Sequence, residues 1–123
     1  MTDEREDDRE ASVVLAEAVG YLALTATRRL YEEQPDLWKL GEHGRARTLE
    51  DFTHHLRMLA GLSPPVFATH VAYCEGLWKA RGFPRRWLDD AWRILDEVLR
   101  DELPQRVHEP ARELLRTAMT PAG

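Results

Sequence analysis

The chain has 123 residues, 32% of them charged, and a net charge of −5; that length makes one domain, able to bury about two thirds of its unfolded surface, and leaves no room for a second. Six acids and two arginines fall within the first ten residues, so the remainder is close to neutral. That balance argues against nucleic acid as the main partner, because phosphate binding needs a concentration of Lys and Arg.

The single cysteine, Cys74, cannot form an internal disulfide, and no Cys/His group has zinc-finger spacing. No apolar run approaches the roughly 18–20 residues of a membrane span, and the N-terminus is acidic where a signal peptide would be basic. The expectation is a cytoplasmic protein with no structural metal and no membrane partner.

Residues 1–10 carry almost no apolar side chains and read as a disordered, solvated acidic tail, with residues 11–120 forming the domain. From Ala11 to about Glu33, the spacing of Val14, Ala18, Tyr21, Leu22, Thr25 and Arg29 predicts a first long helix. Gln34-Pro35 and the Gly41 to Gly44 stretch then predict a break and a flexible loop. Thr48 is the expected cap of a second helix, with Asp51 three residues on and an apolar face of Leu49, Phe52, Leu56 and Leu59.

Ser63-Pro64-Pro65 interrupts the chain, and Pro65 suits the first turn of a third helix. Its stripe is Phe67, His70, Val71, Cys74, Leu77 and Trp78, and Gly82 ends it. After Pro84 comes the cleanest amphipathic pattern, Leu88, Ala91, Trp92, Leu95, Val98 and Leu99, stopped at Pro104. A last helix runs from about Gln105 to Ala118 through Val107, Ala111, Leu114 and Leu115. No strand alternation and no repeat is present, so the fold class is all-α with about five main helices, packed as a bundle or crossed as in globins.

Several segments resemble phycobiliproteins, whose globin-like core holds linear tetrapyrroles. Arg29-Leu30-Tyr31-Glu32-Glu33-Gln34-Pro35 matches the end of one helix in that family, and Leu56-Arg57-Met58 a later helical segment. Counting back from Arg57 sets Thr48-Leu49-Glu50-Asp51 on the chromophore-attaching Cys-x-Arg-Asp motif, provided one helical turn is missing after Met58. Thr48 then replaces the thioether-forming cysteine and Glu50 the arginine, while the aspartate that accepts pyrrole hydrogens persists as Asp51.

The chain is most similar to the bilin biosynthesis-associated globins of non-photosynthetic bacteria. His54-His55-Leu56-Arg57-Met58-Leu59, Phe67-x-x-His70-Val71-x-Tyr73 and Leu77-Trp78-Lys79-Ala80-Arg81-Gly82-Phe83-Pro84 carry that resemblance, with Met58, His70 and Tyr73 as departures. It implies a globin-like fold of residues 11–120 with no obligatory cofactor and a non-catalytic link to bilin metabolism. A bilin would be held non-covalently, with Asp51 on the pyrrole nitrogens, His55 and Arg57 at the polar edge, and Phe52 and Trp78 on the ring faces.

Each of these residues also has an ordinary reading. Asp51 can cap its helix and His55 can be a half-exposed surface side chain. His70 sits on an apolar stripe, where it is either a hydrogen-bonded core histidine or a heme ligand. His54 points away from the apolar face, and Cys74 reads as a small buried hydrophobe. Of the four tryptophans, Trp87 is the expected exposed one. Arg28, Arg29, Arg57, Arg81, Arg85 and Arg86 are either solvated or propionate-binding.

No nucleophile has a neighbouring base and no phosphate loop follows a strand, so no catalysis is expected. The alternatives to bilin binding are a heme-free sensor module acting as a homodimer or with a protein partner, and a heme globin using His70.

Overall fold

Helix formation begins earlier at two places than composition suggests. The computed structural model describes residues 4–119, with side chains from Glu6 onward. Helix α1 runs Glu4–Glu33, so the part of the acidic tail within the described residues forms its first turns rather than a disordered lead-in. Glu6 to Glu10 are nonetheless exposed, and Glu10 faces Arg106 at 3.7 Å.

The buried face of α1 is Ala11, Leu15, Val19, Leu22 and Ala26, one position round from the stripe the sequence suggested; Tyr21 is 58% exposed. Thr25 and Thr27 are buried but satisfied, their hydroxyls donating to the carbonyls of Tyr21 and Ala23. By length and composition the Glu6–Glu33 stretch would be long and apolar enough to cross a membrane, a property the run-length reading missed; here it packs against α2, α4 and α5.

Pro35 opens a short 3-10 segment, Pro35–Leu40, and α2 follows at once as Gly41–Ala60. The glycines read as a loop are what let the helix start there. Gly41 has φ +70°, a conformation that disfavours a Cβ, and a Cβ on Gly44 would collide with the Leu40 Cβ. Thr48 is therefore not a cap; it lies inside α2 with its hydroxyl donating to the Gly44 carbonyl.

Gly61 and Leu62 reverse the chain, Leu62 at φ 53°, and α3 runs Pro64–Ala80. Ser63 caps it by accepting the Val66 amide, and both prolines occupy the first turn, where a missing donor costs nothing. Gly82, at φ +69°, closes α3: its amide donates to the Lys79 carbonyl and the Phe83 amide to the Trp78 carbonyl, the Schellman pattern.

Helix α4, Arg85–Glu102, buries Leu88, Ala91, Trp92, Leu95, Val98 and Leu99 as expected, and Ile94 as well. Helix α5, Gln105–Met119, buries Val107, Ala111, Leu115 and Ala118. The described residues are thus all-α, five helices with no strand. Helix α1 packs against α2, α4 and α5, whereas α3 touches its neighbours sparsely. That loose seating leaves open space between α2 and α3.

Candidate functional site

Two adjoining cavities line this space. One, of about 870 Å³, lies between α2 and α3; the other, of about 480 Å³, lies between α2, the 3-10 segment and the start of α4. Both volumes fall within the roughly 300–1,000 Å³ of ligand clefts. Arg47, Asp51, His55, Trp78 and Arg81 line both, so the two form one trough with these side chains at its waist.

Asp51 is half-buried in mid-helix, which removes the capping explanation for it. Burial pushes its carboxyl above the usual range; the Arg47 charge opposes that shift, Glu50 adds to it, and Arg81 and His54 also oppose it. Among the described residues it has no hydrogen-bond or ion-pair partner, which leaves its oxygens free to accept from a ligand. Arg47 and Arg81 are exposed and likewise unpaired among the described residues. A carboxylate flanked by two free guanidinium groups can take N–H donors at its centre and anionic groups at its rim.

His55 is 3% exposed, a core residue rather than a surface one. Its ring lies 4.5 Å from that of Trp92, and its Nδ1 sits 2.9 Å from His70 Nε2. The Cys74 sulfur is 3.5 Å from that same His70 nitrogen and 3.9 Å from His55 Nδ1. Burial lowers the His55 pKa to about 3, with the His70 charge next in effect, and burial also lowers that of His70. Burial raises the Cys74 thiol to about 11, helped by the Asp51 and Glu75 charges, which makes it a poor nucleophile for attaching a chromophore.

Of the sequence-predicted residues, Asp51, His55, Phe52, Trp78 and His70 are brought to the trough. Phe52 is 2% exposed and reaches only the smaller cavity. Trp78 is part-buried, and its indole N–H has no partner among the described residues. Arg57 is not part of the group: it lines a separate hollow against α1 with Ala16, Val19 and Gly20. The arginines that do line both cavities are Arg47 and Arg81, the first carried by no motif in the sequence.

His54 is exposed at the margin of the larger cavity. Trp38 is the most exposed tryptophan, at 56%, ahead of Trp87; Arg45 stacks over its ring at 5.6 Å.

No protein-family model, curated protein or solved structure matches this chain. The resemblance to phycobiliproteins and bilin biosynthesis-associated globins thus rests on the quoted motifs alone.

Proposed function

We propose that the protein is a non-catalytic, globin-like binding protein for a linear tetrapyrrole, held without a covalent bond in the trough between α2 and α3. One observation carries this reading: the unpaired Asp51 carboxylate sits where two cavities meet, with two unpaired arginines lining the same space. Pyrrole N–H groups donate to Asp51, propionates meet Arg47 and Arg81, and Trp78 offers a flat apolar wall.

The replacement of the motif cysteine by Thr48 and the raised Cys74 thiol both favour reversible binding. The heme alternative is less well supported, because His70 Nε2 faces His55 Nδ1 at 2.9 Å and Cys74 Sγ at 3.5 Å, which leaves no room on that nitrogen for the plane of a macrocycle.

Adding biliverdin to the purified protein tests the reading. A shifted, saturable absorption band with induced circular dichroism is the expected result. A spectrum identical to that of free biliverdin at every protein concentration overturns it.

A further inference from the structure

The trough holds a second constellation that the tetrapyrrole reading does not use. His55 Nδ1, His70 Nε2 and Cys74 Sγ all lie within 4.8 Å of one another, contributed by two different helices. The geometry points to a binding site for a single divalent cation of the zinc class, held by these three side chains, with its fourth position open to the crevice.

The distances are those such an ion requires. A tetrahedral zinc with Zn–N of about 2.05 Å and Zn–S of about 2.3 Å sets its nitrogen and sulfur ligands about 3.6 Å apart and two nitrogens about 3.3 Å apart. The two sulfur–nitrogen separations here are 3.5 and 3.9 Å, and the nitrogen pair is at 2.9 Å. The imidazoles need to part, and His55 to close on Cys74, each by a few tenths of an ångström, for an ion to sit among all three donors.

The donor set is chemically matched to that class. Two imidazoles and one thiolate suit a borderline-soft ion and suit magnesium or calcium poorly. The facing nitrogens share one proton in their 2.9 Å hydrogen bond; its shift to the other nitrogen of the donor ring leaves both with a lone pair for a metal. Coordination by Cys74 is through the thiolate, its proton passing to solvent.

The surroundings are those of a metal site as well. The Trp92 and Phe67 rings pack against the histidines at centroid distances of 4.5 and 6.3 Å, shielding one side from water. His55, His70 and Cys74 all line the 870 Å³ cavity, which Asp51 and Tyr73 line as well. Three protein ligands and one open position describe a site where a water or an incoming ligand completes the shell.

The alternative is an imidazole pair beside a buried thiol, joined by a hydrogen bond and never occupied. Titration of the chelator-stripped full-length protein with Co²⁺ separates the two. One equivalent should bind, with the visible bands of four-coordinate cobalt and a near-ultraviolet thiolate-to-metal band, and Zn²⁺ should displace it. Cys74→Ser should abolish the thiolate band, and His70→Gln should weaken binding at least about tenfold. His43→Gln should change neither.

Because a core substitution can unfold the chain, wild-type protein supplies a second readout: Zn²⁺ should raise its melting temperature and block modification of Cys74 by a thiol reagent. Cobalt that binds without a thiolate band, or binding that persists unchanged in Cys74→Ser and His70→Gln, overturns the site. So does an absence of saturable binding.

Discussion

His55 Nδ1 and His70 Nε2 approach to 2.9 Å across the α2–α3 hairpin, fifteen residues apart in the chain and nearly equidistant from the left-handed turn at Leu62. At that distance one ring donates and the other accepts, so the pair is compatible with two neutral imidazoles and not with two charged ones. The same register brings Cys74, one turn beyond His70, to the pair from the α3 side, with Asp51 one turn before His55 on α2. The reversal at Leu62 thus aligns the polar groups of the trough.

Acid should destabilise the metal-free protein through this pair. The folded pKa of His55 is lowered to about 3 from an ordinary 6.5, chiefly by burial, so the unfolded chain binds the proton more readily. Stability is full above about pH 6.5 and is lost progressively as pH falls toward about 3, with a total effect on the order of a few kcal/mol. His70, lowered in the same direction, steepens the upper part of that window. Urea melts with a chelator present between pH 7.5 and 4 should show this decline, and His55→Leu should flatten it.

Gly44→Ala should weaken the fold although alanine is the better helix former. Helix propensity alone favours the change by about 1 kcal/mol. The added Cβ collides with the Leu40 Cβ, an atom fixed to its own backbone, and such overpacking costs about 1–3 kcal/mol. A denaturation midpoint below that of the wild type checks it. A midpoint above it would mean that the junction yields freely.

Much of this fold is legible in the chain. The α4 stripe and the α5 stripe land in the core because each places apolar residues on one helical face and charges opposite. Gly82 and Ser63 mark their helix ends through local chemistry that needs no tertiary partner. The start of α2 is less readable, since Gly41 and Gly44 serve a tight junction here, where the same residues in isolation signal a loop.

The buried face of α1 is hard to single out because a helix touched by three others is apolar over much of its circumference. In the site, the spacing of His70 and Cys74 by four residues was visible. That His55 joins them follows only from the hairpin register, which depends on where the reversal falls. Arg47 belongs to no motif, and its place in the lining follows from the early start of α2.

Arg112 should contribute more than other surface cations. Its guanidinium donates two bonds to Asp96, at 2.8 and 3.2 Å, joining α5 to α4, and both side chains are about four-fifths covered. Arg112→Met keeps the stem and removes both bonds, with an expected loss of about 1–2 kcal/mol. Arg112→Lys should recover only part of this, because an ammonium cannot reproduce the fork. Chemical denaturation of the two variants measures the difference.

The central claim is that Asp51, at the waist of the trough, anchors a linear tetrapyrrole. Its most direct test compares biliverdin dissociation constants for the wild type, Asp51→Asn and Arg57→Gln. Losing a charge-assisted bond at Asp51 should weaken binding at least about tenfold, equivalent to roughly 1.4 kcal/mol, while Arg57→Gln, on the far side of α2, should leave it within about twofold. Equal affinity in wild type and Asp51→Asn, or a loss confined to Arg57→Gln, would contradict the account.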